Sequence, residues 1–183
     1  RAEPREVQFA AQAEHVLRTL VARPSTPGAA HLPLGAYDAL VRVHASMTGD
    51  QGKAFACFDE LVQSVDNSRY PTEGSLVGMI SSCVSARNAD LAVHILSWCG
   101  RQRRCSLPVF SSTLKVLAAA KQPERVCAVY EEAAAAGLEP DDTVYGQLIK
   151  FAVQAGKLDL ARELFSRAGN PDAQNYMSLI RAC

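Results

Sequence analysis

The sequence predicts an all-α fold, a solenoid of stacked helical hairpins. Three observations carry that expectation. Apolar residues recur at helical spacing along almost the whole chain, and no segment alternates as a strand would. Glycines and prolines interrupt those runs at intervals. The aromatic or Leu anchors Tyr37, Leu76, Phe110, Tyr145 and Tyr176 stand 39, 34, 35 and 31 residues apart. A fixed period of this length is the signature of a repeat array. Each hairpin is too small to bury its own apolar faces, so neighbours must stack to form a continuous core.

The elements follow in order. Residues 6–21 form an amphipathic helix, read as the second helix of a preceding unit, and residues 22–33, with three prolines, form an irregular linker; together they make a partial segment, 1–33. The first repeat, 34–72, carries Tyr37, Leu40, Val41 and Val43 on one helix and Ala54, Cys57, Phe58 and Leu61 on the next. The second, 73–106, carries Leu76, Ile80 and Val84, then Leu91, Ala92, Ile95 and Leu96. The third, 107–141, has Phe110, Leu114 and Leu117, then Val126, Val129 and Tyr130, and closes at Gly137 and Pro140. The fourth and shortest, 142–172, places Val144, Leu148 and Phe151 (with Tyr145, Ile149 and Ala152) at helical spacing. Gly156 breaks that run; Leu158, Ala161, Leu164 and Phe165 form a second face, ended by Gly169 and Pro171. Tyr176, Leu179 and Ile180 open a fifth repeat, 173–183. The chain begins at Arg1 without a Met and stops at Cys183 within an apolar periodic run, and is read as an internal piece of a longer protein.

Composition excludes several classes. Apolar residues make up 48% and charged residues 21%, as in foldable rather than disordered chains. Lys plus Arg and Asp plus Glu are both 19, so the chain lacks the overall basic excess of sequence-indifferent nucleic-acid binders. No apolar run is long enough to span a membrane. The cysteines (57, 83, 99, 105, 127, 183) and histidines (15, 31, 44, 94) are dispersed, with no CxxC pair and no visible zinc-ligand set. Most of the cysteines lie in apolar helical runs and read as small core residues of a reducing compartment. GxSxG, GxxxxGK[ST], HExxH and the His-x-Glu with Cys-x-x-Cys pattern of zinc deaminases are all missing. No catalysis, cofactor, metal or small-molecule substrate is expected.

The segment GLEPDDTVYGQLIKFAVQAGKLDLARELF is similar to pentatricopeptide repeats. Gly137, Pro140 with Asp141, Tyr145, Leu148 with Ile149, Ala155 with Gly156, Ala161, and Leu164 with Phe165 fall where that family carries "G…PD…Y…LI…AG…A…LF". The likeness is closest over 107–172, weaker over 34–72 and 173–183, and weakest over 73–106, where Leu76 replaces the aromatic. The Trp–Leu–Gly signature of the related tetratricopeptide repeats is absent, and Trp98 lies in a second helix. The resemblance implies a right-handed superhelical solenoid of stacked helix-turn-helix repeats. It also implies an organellar protein, of chloroplast or mitochondrion.

In that family each repeat reads one base with a residue near the start of its first helix and one just before the next repeat. Carried over, the pairs are Asp38 with Thr72, Val77 with Ser106, Ser111 with Asp141, and Gly146 with Asp172; Met177 opens a fifth. Ser111 with Asp141 resembles a pair that favours a purine. Val77, Gly146 and Met177 have no side-chain group to hydrogen-bond a base. One helical turn after the reading position stand Arg42, Lys115, Lys150 and Arg181, with Ser81 the exception, candidates to follow a phosphate backbone or simply solvated positions. Arg101, Arg103 and Arg104 form a denser cluster at the end of a second helix. Arginine suits the negative end of the helix dipole there, or contacts phosphate or a partner's carboxylates. Glu131, Glu132 and the alanines 133–136 read as helix surface and strong helix former.

Two functions follow. One is a single-stranded RNA-binding module acting in transcript processing, stability or translation. The other is a structural adaptor holding proteins in a large organellar assembly, such as a ribosome or a photosynthetic or respiratory complex.

Overall fold

In the computed structural model the described residues are 4–21, 34–47, 51–64 and 70–182. The linker expected at 22–33 and the cysteine at 183 lie outside them. The described residues form ten helices and no strand, so the all-α class is observed. In order they are α1 (Pro4–Val21), α2 (Leu34–Ala45), α3 (Gln51–Gln63), α4 (Glu73–Ala86) and α5 (Ala89–Arg101). Then come α6 (Leu107–Ala119), α7 (Pro123–Ala135), α8 (Asp142–Gln154), α9 (Leu158–Arg167) and α10 (Ala173–Ala182).

The chain divides into two compact units, residues 1–95 and 96–183, with the division inside α5. In the first unit α2 packs against α1, α3 and α4. Its core includes Phe58, Leu61, Leu76, Met79, Ile80, Leu91 and Ile95, all fully buried. Burying side chains of this size stabilises by about 1.5–3 kcal/mol each, before the entropy of ordering them. In the second unit α7 packs against α6 and α8, while α10 packs against α8 and α9. Phe110, Leu114, Leu117, Leu148 and Ile149 form its fully buried centre.

Several apolar positions fall on the other side of their helices from the expected face. Val84 and Val43 are exposed, while Cys83 and His44 are buried in their place. The reason is the drift of the helical period. At about 100° per residue, position 84 lies about 80° round the helix from Leu76, whereas position 83 lies about 20° from it. The same geometry puts position 44 about 20° from Tyr37 and position 43 about 120° away. In α10, Tyr176 and Ile180 are also exposed, because α8 and α9 cover only one side of that helix. Tyr176 still meets Phe165 edge-on, ring centres 4.8 Å apart.

Five connections share one geometry. After α4, α5, α6, α7 and α8 a single residue turns left-handed: Arg87, Arg103, Lys121, Gly137 and Gly156, with φ of 53°, 52°, 56°, 86° and 71°. In each case the next residue's amide bonds back to the last helical turn. Asn88 N–H donates to the Cys83 carbonyl at 2.9 Å and Lys157 N–H to that of Ala152 at 2.9 Å. This closes the carbonyls that a helix end leaves open.

Candidate functional site

The candidate reading positions divide by what their side chains already do. Thr72 caps α4, its hydroxyl accepting from Ser75 N–H at 3.2 Å. Asp141 caps α8, accepting from Val144 N–H at 2.8 Å. Asp172 accepts from Asn175 N–H at 2.8 Å, ahead of α10. Ser106 is the N-cap residue of α6 but its hydroxyl makes no capping bond. Pro108 removes one of the amides that such a hydroxyl would accept from.

The early positions are more varied. Asp38 and Arg42, one turn apart on α2, form a two-pronged ion pair, with Nε to Oδ1 at 2.8 Å and Nη2 to Oδ2 at 3.1 Å. A candidate base reader and a candidate phosphate contact thus neutralise each other. The Arg42 guanidinium lies over Gly78 of α4, next to Val77. Val77 and Ser111 are half-buried, and Met177 is exposed. Gly146 is roofed by the buried Asn175 side chain of α10; a β-carbon there would lie 3.2 Å from Asn175 Nδ2.

The cations beyond Arg42 are open. Lys115 on α6, Lys150 on α8 and Arg181 on α10 are all exposed. In the basic cluster, Arg101 ends α5 and Arg103 is the left-handed residue of the following turn, both exposed. Arg104 lies over the Trp98 ring, 5.6 Å from its centre. Ser81, which breaks the series, is exposed on α4.

A cleft of about 800 Å³ opens beside Asp141, lined by Tyr130, Leu138, Glu139, Tyr145 and Arg167 among others. Arg167 donates to the Tyr130 hydroxyl at 3.4 Å and pairs with Glu163 at 3.2 Å. Burial and the neighbouring Tyr130 push the Tyr145 hydroxyl upward. Glu131 on α7 pairs with Lys157 at 3.1 Å.

The structure also joins three residues that sequence spacing kept apart. Glu14 of α1, His44 of α2 and Cys57 of α3 bring a carboxylate oxygen, an imidazole nitrogen and a thiol sulfur within 4.8 Å of one another. His44 and Cys57 are buried and Glu14 is half-buried. Glu14 Oε2 stands 3.4 Å from His44 Nε2, while its Oε1 accepts from Arg18 at 2.9 Å. Arg18 also reaches both carboxylate oxygens of Glu60, at 3.2 and 3.4 Å. Burial, then the Glu14 and Glu60 charges, push the Cys57 thiol up to about 11. Helical geometry places His44 inside, but no sequence spacing links it to Glu14 or Cys57.

The other described cysteines are free thiols. Cys83, Cys99 and Cys127 are buried, and Cys105 is half-buried. No described helix is long and apolar enough to cross a membrane. No protein-family model matches the chain, and no curated protein aligns with it significantly.

Proposed function

We propose that the chain is a pentatricopeptide-type, non-catalytic repeat module whose stacked hairpins form a right-handed superhelical solenoid binding single-stranded RNA in a chloroplast or mitochondrion. Its contacts run to the phosphate backbone more than to the bases. The observation that carries this reading is the set Lys115, Lys150 and Arg181. These cations occupy the same position in three first helices of the second unit, are exposed, and have no ion pair among the described residues. Cations so placed suit a phosphate chain, each releasing about one counterion on binding.

The base-reading contribution is small in this proposal. Thr72, Asp141 and Asp172 hold helix starts, Asp38 holds Arg42, and Gly146 lies under Asn175. What purine contact there is falls in this proposal to the pair Ser111 and Asp141, of which Asp141 lines the cleft.

Those same commitments favour a second reading, the adaptor that holds proteins within an organellar assembly. One measurement separates the two. Fluorescence anisotropy of short single-stranded RNAs titrated with the chain, repeated across salt concentrations, should show micromolar or tighter binding that falls steeply with salt. No binding at low salt would sink the RNA proposal and leave the adaptor.

A further inference from the structure

Glu14, His44 and Cys57 come from three different helices, α1, α2 and α3, and offer oxygen, nitrogen and sulfur donors at one point. We propose that they bind a borderline-soft divalent cation of the zinc class, which fastens α1 to the α2–α3 hairpin.

The donor set selects the metal class. Carboxylate, imidazole and thiolate together suit zinc and its neighbours, whereas calcium and magnesium require oxygen donors. The geometry is close to what such an ion needs. Tetrahedral ligands at zinc distances lie about 3.3–3.8 Å from one another. Here the oxygen and nitrogen are 3.4 Å apart and no pair of donors exceeds 4.8 Å. The widest separation thus exceeds the zinc value by about 1 Å at most.

Charge balances as well. One carboxylate and one thiolate with a neutral imidazole cancel a dication, so the buried centre carries no net charge. Arg18, which pairs with Glu14, is also matched by Glu60. Arg18 has a second role as a positioning residue. By holding Glu14 Oε1 at 2.9 Å it turns Oε2 toward His44, as groups around a metal centre commonly orient its ligands. The three protein ligands leave one coordination position for water.

A metal here links folding to metal supply. An ion that binds only the folded state stabilises it by mass action. The described polar contacts of α1 with α2 and α3 converge on Glu14 and Arg18, so the gain falls on α1's attachment.

The test uses the reduced, metal-stripped full chain and Co²⁺ as the probe. The expected result is one Co²⁺ per chain with a thiolate-to-cobalt charge-transfer band. Cys57→Ser should abolish the band, and Glu14→Gln should weaken binding at least ten-fold with unchanged circular dichroism. Cys105→Ser and Cys127→Ser should leave both intact. Absence of the band in the wild type, or undiminished affinity in either ligand variant, overturns the proposal. If Cys57→Ser fails to fold, Glu14→Gln decides alone, because its side chain is only half-buried.

Discussion

The Arg42 guanidinium fills the space that a β-carbon on Gly78 would occupy, with Cζ and Nη2 both 2.5 Å from that point. The obstruction is the far end of a flexible side chain, so an alanine would displace it cheaply. A glycine inside a helix costs about 0.5–1 kcal/mol relative to alanine. The half-exposed Arg42–Asp38 pair contributes about 0.3–0.5 kcal/mol. Gly78→Ala should therefore stabilise the chain slightly, by up to about 0.7 kcal/mol in urea unfolding, the largest difference between those two ranges. A loss of stability would show that Arg42 contributes more in its place than an exposed ion pair does.

Asp141 caps α8 through a single 2.8 Å bond to Val144 N–H. Asp141→Ala should cost about 1 kcal/mol, and Asp141→Asn, which keeps the acceptor, much less. Equal losses in the two variants would mean that the carboxylate charge, not the cap, is what stabilises. If Asp141 also reads a base, the Asn variant should change RNA preference while leaving stability nearly intact.

Arg87, Arg103 and Lys121 occupy left-handed positions that cost a side-chain-bearing residue about 1 kcal/mol or more. Replacing each with glycine should raise stability by up to about 1 kcal/mol, since the turn demands the conformation that glycine adopts freely. A thermal melt of Lys121→Gly lower than wild type would show that the lysine makes compensating contacts.

For RNA, Lys115→Ala, Lys150→Ala and Arg181→Ala combined should lower the logarithmic salt slope by about 3, about one per lost phosphate contact. Helix content should not change, because the three side chains are exposed. Arg42→Ala should matter less, its charge being already matched by Asp38. Unchanged RNA affinity in the triple variant would remove the cations from the binding surface.

Burial pushes the Cys83 thiol from its ordinary 9.0 up to about 12. Its folded value lies above its unfolded one, so its contribution is fully present below about pH 9 and is lost as pH rises toward 12. Between pH 9 and 10 that loss is about 1 kcal/mol. In Cys83→Ala this share disappears. The stability gap between wild type and variant should narrow from pH 8.5 to pH 10, measured by urea midpoint; a constant gap would contradict the protonated, buried thiol.

Legibility differed by kind of feature. Period alone was enough for the helical class, because each helix carries an apolar stripe wide enough to see. Which residues fill the stripe is harder to read from residue type, and His44 shows why. It is a polar type at the centre of an apolar face, and 3.6 residues per turn put it, rather than Val43, inside. Gly137 and Gly156 marked their turns in the sequence, but Arg87, Arg103 and Lys121 adopt the same backbone with residues that carry no turn signal. The Asp38–Arg42 pair was readable from its one-turn spacing. The trio of Glu14, His44 and Cys57 was not, since its members are brought together only by the packing of three helices.

The capping bonds of Thr72, Asp141 and Asp172 limit variation as well as stabilise. A residue at such a helix start can be Asp, Asn, Ser, Thr or Gly with little loss, and hardly anything else. Any recognition code written at these positions therefore has an alphabet of about five letters, one of them mute. Two of those letters, Ser and Thr, are near-synonyms. Change of specificity through such sites would proceed by exchanging carboxylate, amide and hydroxyl, with larger or charged-basic side chains closed off by folding rather than by the ligand.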